Sequence, residues 1–193
     1  KRGNMVEKLD IDEKDKKIIA LYEKTPDISQ IDIAEHVGLS QPSVGARINK
    51  LKQSGILSTS VGMDLKRVGL NMAKVEINTK DSIKIIEQFK GCPYFLNGLI
   101  VSGVDNLCLF FIAEDISTIE SIVDGHLRCN PAVNSVNLSI VITPISELVM
   151  PVKMSVERQE ESPCKSDCAT CAYHTSHRCL GCPVTKNYKG KFW

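Results

Sequence analysis

Five of the eight cysteines fall in one short stretch of the chain, and their spacing restricts how that stretch can fold. They are Cys164, Cys168, Cys171, Cys179 and Cys182, which gives the pattern C-x2-C-x7-C-x2-C with one further cysteine upstream. Two CxxC pairs this close together can direct four thiolates at one point, as a tetrahedral metal ion requires. Because roughly 30 residues with little apolar content cannot form a core, we expect a metal to stabilise this segment.

Whether these cysteines bind a metal or form disulfides depends on the cellular compartment of the protein. Lys1–Leu9 is polar and no apolar segment follows it, so we expect no secretory signal, a cytoplasmic location and reduced thiols. Zinc suits four thiolates, and the alternative is an iron–sulfur cluster, because a proline follows Cys182 as it follows cysteines of cluster-binding loops. Copper or another thiophilic ion and a redox disulfide pair rank behind these two.

The expected ligands are the two CxxC pairs, Cys168 with Cys171 and Cys179 with Cys182. Cys164 is an alternate ligand or a nearby reactive thiol. His174 and His177 are expected at the surface, and Cys92, Cys108 and Cys129 are expected to be small core residues.

The composition is typical of a globular protein, and the placement of its charges indicates a partner. The chain has 193 residues, of which 42% are hydrophobic and 24% are charged, as in globular proteins. Its longest uninterrupted apolar run, Leu107 to Ala113, is too short to cross a bilayer. The net charge is only +1, but the charges are unevenly placed: nine acids lie in residues 1–35 and none between His36 and Met63. An acid-free stretch containing Arg47, Lys50 and Lys52 indicates a polyanionic partner.

Residues 12–57 predict three capped helices. Asp12, Ser29 and Ser40 stand at the N-cap positions, Pro42 lies in the first turn of the third helix, and Gly38 and Gly55 end the second and third helices. A short helix, a tight turn and a second capped helix form a helix-turn-helix, whose second helix enters the major groove of double-stranded DNA. The candidate contacts are Ser40 and Gln41 to phosphate, Ser43 and Arg47 to base edges, and Lys50 and Lys52 to phosphates.

From residue 72 the apolar period changes from helical to alternating. Strands are predicted around residues 73–77, 95–102, 107–113 and 136–142, with one helix marked by Ile83, Ile86 and Phe89 and another beginning at a Ser117–Glu120 capping box. The order βαββαβ is ferredoxin-like, an antiparallel sheet with two helices on one face. The open face of such a sheet needs a cover, so we expect self-association.

The fold class is therefore α+β, in four parts. Residues 1–60 form a helix-turn-helix domain of winged-helix type, and residues 61–150 form the sheet domain. A polar linker, residues 151–163, with the run Glu157–Glu161, precedes a small metal-bound module, residues 164–193, which we call the tail.

The segments DIAEHVGLSQPSVGARINKLKQSGIL and SGVDN, with the sheet domain between and around them, closely resemble the leucine-responsive/AsnC (Lrp/AsnC) family of transcriptional regulators over about residues 9–145. The resemblance implies a DNA-binding regulator that forms a homodimer or an assembly of dimers. It also implies an effector, often an amino acid, bound at subunit contacts near the SGVDN hairpin, and by motif match Gly103, Asp105 and Asn106 are its candidate residues. Members often carry an aromatic residue where Asn106 stands.

Two other functions remain open. Some relatives of this architecture decarboxylate tetrapyrroles of the sirohaem type, which would need a pocket lined by His or Arg. His126 and Arg128 are the only such residues between positions 68 and 150, so we expect no enzyme. The remaining alternative is a metal- or redox-responsive module in which the tail recruits a protein.

Overall fold

The computed structural model describes residues 11–193, and the expectation about a secretory signal in residues 1–9 lies outside that range. The chain divides into two compact units, which meet at Ser60 and Val61. Each unit is described separately below.

The first unit contains three helices, as predicted: α1 is Glu13–Lys24, α2 is Gln30–Val37 and α3 is Gln41–Gln53. Asp12 and Asp15 form a reciprocal capping box at the start of α1. Ser29 and Ser40 cap α2 and α3 by accepting hydrogen bonds from backbone N–H groups three residues on. Each cap satisfies a donor that a helix start otherwise leaves without a partner.

The turn between α2 and α3 depends on Gly38. This residue has φ 67°, the left-handed conformation that glycine adopts most readily. Gly45, within α3, leaves room for the side chain of Gln30 at the start of α2. A Cβ at position 45 would lie 3.1 Å from the side-chain oxygen of Gln30. The core beneath is formed by fully or nearly fully buried aliphatic side chains: Ile18, Ile33, Val37, Val44, Ile48, Leu51 and Leu57.

The second unit is built on a four-stranded antiparallel sheet. The strands are β2 (Asn71–Thr79), β3 (Phe95–Ile100), β4 (Leu107–Ala113) and β5 (Val133–Ile140), in the spatial order β3-β4-β2-β5. Two helices, α4 (Ser82–Phe89) and α5 (Ile116–Val123), complete the βαββαβ order, which confirms the ferredoxin-like prediction. The short strands β1 (Met63–Asp64) and β6 (Val149–Met150) pair with each other, and a last helical turn, α6, spans Ala172–Thr175.

The core of the sheet domain lies between the sheet and its helices. Alternate residues of β2 and β4 face it, including Val75, Leu109 and Phe111, and Phe89 of α4 packs edge-on against Phe111. The apolar face of α4 differs from the prediction, because Ile85 is buried while Ile83 is 62% exposed.

Helix α5 also starts and ends differently from the prediction. Asp115, rather than Ser117, is its N-cap and accepts a hydrogen bond from the N–H of Thr118. At its end the helix continues into a π-helical turn, Asp124–Arg128. Such turns widen a helix by one residue and are frequent at functional sites. Here the turn carries His126 towards the tail.

The predicted linker and tail are not separate from the sheet domain: the structure places residues 61–193 in one compact unit. The backbone N–H of Gln159 donates to the carbonyl of Val184 at 2.7 Å, and Arg158 donates to the carbonyl of Thr185 at 2.9 Å. The polar run Glu157–Glu161 thus supplies backbone and side-chain partners to a neighbouring segment of the tail.

Hydrogen bonds fasten the tail to the sheet domain and to the segment that precedes the tail. The Tyr94 hydroxyl donates to the carbonyl of Gly181 at 2.7 Å, and the N–H of Leu180 donates to Thr118 Oγ1 at 2.9 Å. The Trp193 indole donates to the carbonyl of Lys153 at 2.8 Å and stacks edge-on against Tyr94. The tail therefore covers the ends of α4 and α5 and continues around the edge of the sheet. No helix in residues 11–193 is long and apolar enough to span a membrane.

Candidate nucleic-acid interface and cysteine-lined cavity

Helix α3 turns one face to its core and another to the exterior. Val44, Ile48 and Leu51 are buried, so the residues on the opposite side of the helix point outwards. That outward face is uncharged or basic, and its exposed members are Pro42, Ala46, Asn49, Lys50 and Gln53. An exposed helix face without acids, preceded by a capped turn, can approach a phosphate backbone without repulsion.

The predicted contacts at the start of α3 are exposed and are partly engaged with each other. Ser40 Oγ lies 2.8 Å from Ser43 Oγ and also accepts the N–H of Ser43. Gln41 is exposed. These residues surround the positive end of the α3 dipole, where anions are favoured.

Lys50 and Lys52 are both exposed. The ammonium of Lys52 lies 5.8 Å from the centre of the Tyr22 ring, within the range of a cation–π contact. Lys50 therefore projects more freely from the outward face than Lys52 does.

Arg47 is placed differently from the expectation. Its guanidinium lies 2.7 Å from Asp12 and 2.8 Å from Asp15, so it binds the capping box of α1. Hydrogen bonds to Asp15 and Asp12 raise the pKa of Arg47. The charge of Arg47 is thus paired within the domain, and its role as a base-reading residue stays a prediction.

Asn49 was not among the predicted DNA contacts. It lies exposed on the outward face, two residues beyond Arg47, and an Asn side chain can bond bidentately to adenine. The sequence carries this signal, since Asn49 lies away from Val44, Ile48 and Leu51 on a helical projection.

The SGVDN hairpin is internally bonded. Asn106 accepts a hydrogen bond from the N–H of Thr79 at 3.0 Å, and its amide donates to the carbonyl of the same residue at 2.8 Å. Both ends of the Asn106 side chain thus hold the hairpin against β2, and its role as an effector contact stays a prediction. Asp105 accepts a weak bond from Ser135 at 3.5 Å, and Gly103 is exposed with φ 132°.

The tail and the sheet domain together enclose a cavity of about 110 Å³, which we call the cysteine cavity. Six cysteines line it: Cys92 from the loop after α4, and Cys164, Cys168, Cys171, Cys179 and Cys182 from the tail. Its remaining wall is largely aromatic and aliphatic and includes Phe89, Tyr94 and Ile122. The spacing in the sequence predicted a convergence of the five tail cysteines, but not that a sixth would come from the sheet domain.

The thiols of this cavity differ in their acidity. Burial is the main cause that raises the pKa of Cys179 to about 11 and of Cys182 to about 12, and neighbouring thiols add to it. Burial also raises the pKa of Cys92. For Cys164, burial is outweighed by hydrogen bonding to His126 and Ser162, which lowers its pKa to about 6.

Two histidines at the cavity are engaged elsewhere. His174 is buried, contrary to expectation, and its Nε2 lies 2.8 Å from the carbonyl oxygen of Asn187. His126 has Gln88 at 3.3 Å from Nδ1 and Ser166 at 3.2 Å from Nε2. Of the other cysteines, Cys108 is buried as predicted, whereas Cys129 is exposed and not a core residue.

Comparison with known proteins agrees with this architecture. The winged helix-turn-helix DNA-binding family matches residues 11–58. The transcriptional regulator AzlB of Bacillus subtilis is 24% identical over 141 residues, which cover 69% of this chain and 89% of AzlB. The leucine-responsive regulatory protein of Rhizobium meliloti is 23% identical over 152 residues, covering 74% of this chain and 96% of that protein.

The solved structure of E. coli AsnC shares the fold, with a TM-score of 0.64 at 16% identity. The chain therefore has the fold of AsnC. The match covers 97% of AsnC but only 72% of this chain, so more than a quarter of the chain has no counterpart there.

Proposed function

We propose that the chain is a sequence-specific DNA-binding transcriptional regulator, cytoplasmic and active as a homodimer or an assembly of dimers. The observation that carries this proposal is the outward face of α3, which is exposed, free of acids and held in place by a capped helix-turn-helix. The two regulators with matching sequences support it.

In this proposal the residues of α3 divide into two groups. Asn49 and Ala46 read base edges in the major groove, since Asn pairs with adenine and a methyl group contacts thymine. Ser40, Gln41, Ser43, Lys50 and Lys52 contact phosphates and fix the position of the helix, because phosphate contacts carry no sequence information. Arg47 acts indirectly by bracing α3 against α1.

Selection of binding sites from a random duplex pool tests this function. Two α3 helices of a dimer would select paired half-sites about 10 base pairs apart or a multiple of that. Asn49→Ala should weaken binding to the selected site about 5- to 100-fold and broaden the preference at one position. Asn137→Ala, an exposed asparagine on β5, is the matched control. Failure of the full chain to enrich any motif would contradict the proposal.

Self-association is supported by the edge of the sheet. Strand β3 pairs only with β4 among the described strands, and Leu99, Ile100 and Val101 on and after it are 46%, 58% and 40% exposed. Such apolar edge residues favour pairing with another chain. Equilibrium sedimentation should give a dimer or larger species, and a monomer at micromolar concentration would contradict this part.

An amino-acid effector near the hairpin is a further part of the proposal. One matching regulator is named leucine-responsive, and Gly103 and Asp105 lie at the hairpin tip without the two-sided clamp that holds Asn106. Thermal shifts with a panel of amino acids, compared between the wild type and Asp105→Ala, test it.

Tetrapyrrole decarboxylation receives less support. Arg128 pairs with Glu120 at 2.6 Å and also with Asp124, and both ring nitrogens of His126 have partners. The two residues that could bind such a substrate are therefore engaged within the chain, which favours a regulator. Unchanged tetrapyrrole absorbance on mixing is the expected result.

A further inference from the structure

The cysteine cavity lies wholly in the second unit, outside the helix-turn-helix, and its cysteines surround a space rather than a point. A zinc ion would draw four thiolates to about 2.3 Å each. Within residues 11–193, no three His, Cys, Asp or Glu side chains stand at metal-binding spacing. The six cysteines instead line about 110 Å³, several times the roughly 10–15 Å³ that one water molecule needs.

Cysteine sulfurs are the most numerous potential ligands around this space. His174 is committed to the Asn187 carbonyl, and His126 has a partner on each ring nitrogen. The exposed His177 does not line the cavity. Cysteine sulfur is therefore the main ligand available to a cofactor here.

Backbone geometry in the tail also favours bound sulfur. The N–H of Gly181 points to Cys179 Sγ at 3.4 Å, within the second CxxC pair. Gly181 has φ 81°, and a Cβ there would lie 2.6 Å from the carbonyl oxygen of Asn187, so this close loop requires glycine. Hydrogen bonds to sulfur and a dry apolar surround, here Phe89 and Ile122, are the features by which proteins tune iron–sulfur clusters.

We propose that the cysteine cavity holds an iron–sulfur cluster, ligated by Cys168, Cys171, Cys179 and Cys182 and closed on one side by the ends of α4 and α5. These four cysteines form the two CxxC pairs. Cys164 is bonded to Ser162 at the rim at 3.5 Å, and Cys92 lies in the floor. The cluster then joins two distant turns of the tail to each other beside the ends of α4 and α5, and this inference does not depend on DNA binding.

Metal and sulfide analysis of the full chain, purified without oxygen and then reconstituted with iron and sulfide, tests the proposal. We expect iron and acid-labile sulfide in equal amounts with broad visible absorption. Stoichiometric zinc without iron or sulfide, or no metal after reconstitution, would overturn it. This result on the wild-type chain stands even if cysteine variants fold poorly.

Single Cys→Ser variants test the ligand set. Each change at Cys168, Cys171, Cys179 or Cys182 should remove most of the visible absorption, while Cys164→Ser and the exposed control Cys129→Ser should keep it. Loss of the cluster in Cys164→Ser, or its retention in any of the first four, would overturn the assignment of ligands. Selected-site DNA affinity, measured in parallel, separates failure of the cluster from failure of the regulator.

Discussion

The guanidinium of Arg47 lies 2.8 Å from the carboxylate of Asp15, a side chain only 8% exposed, and so connects α3 to the first turn of α1. The same guanidinium also contacts Asp12 at 2.7 Å. A helix that enters DNA is thereby oriented by a contact on its inner side. The position of α3 depends on this contact as well as on the apolar core.

Arg47→Ala should lower the melting temperature of the N-terminal unit, because the nearly buried Asp15 would lose its cation. Binding to the selected site should weaken without a change in base preference. Differential scanning calorimetry and a second round of site selection measure the two effects. A relaxed preference at an unchanged melting temperature would restore Arg47 as a base-reading residue.

Acid should weaken the ion pair between Arg47 and Asp12. Hydrogen bonds from the Asp15 backbone and from Arg47 hold the pKa of Asp12 below its ordinary value of 3.8. A lowered pKa in the folded state contributes stability that is present above the unfolded value and is lost as pH falls through the folded value. Urea unfolding from about pH 5 to about pH 3 should show this loss in the wild type, and a smaller one in Asp12→Asn.

Lys50→Ala should weaken binding to all duplexes alike, since a phosphate contact does not depend on sequence. The slope of log affinity against log salt should fall by about 1. Lys84→Ala, an exposed lysine on α4, should leave the slope unchanged. A sequence-dependent loss in Lys50→Ala would place this side chain at a base edge.

Tyr94→Phe should destabilise the docking of the tail by about 1–3 kcal/mol, because the carbonyl of Gly181 would be left buried without its donor. Tyr173→Phe is the control, since its hydroxyl makes no hydrogen bond to residues 11–193. Hydrogen exchange of tail amides measures the difference, and equal protection in the two variants would contradict the role of Tyr94.

Gly181→Ala should release the tail, because the added Cβ meets backbone 2.6 Å away as well as an unfavourable φ. Gly69→Ala shares the positive φ, 73°, but its Cβ meets nothing within 4 Å. Limited proteolysis should therefore cut the tail quickly in Gly181→Ala and slowly in Gly69→Ala. Similar cleavage in both variants would show that the close approach to Asn187 is not required.

The sequence predicted those features whose causes are local. The caps Asp12, Ser29 and Ser40 act on N–H groups three residues away, and alternation along residues 73–77 places one strand face in the core, so helices and sheet order were confirmed. Arg47 could not be assigned in this way, because its partners lie 32 and 35 residues earlier in the chain. Cys92 could not be predicted to line the cavity for the same reason, because only the tertiary fold brings it close to the tail cysteines.

The bond between Tyr94 and Gly181 joins residues 87 positions apart. Contacts of such long sequence separation pay a large loop-closure entropy before they gain energy, and so they form late in folding. We therefore expect the sheet and its helices to assemble first, with the cysteine cavity still open on the side of the tail. The proposed cluster would be loaded in that interval. Loading would then compete in rate with docking of a tail that holds no cluster.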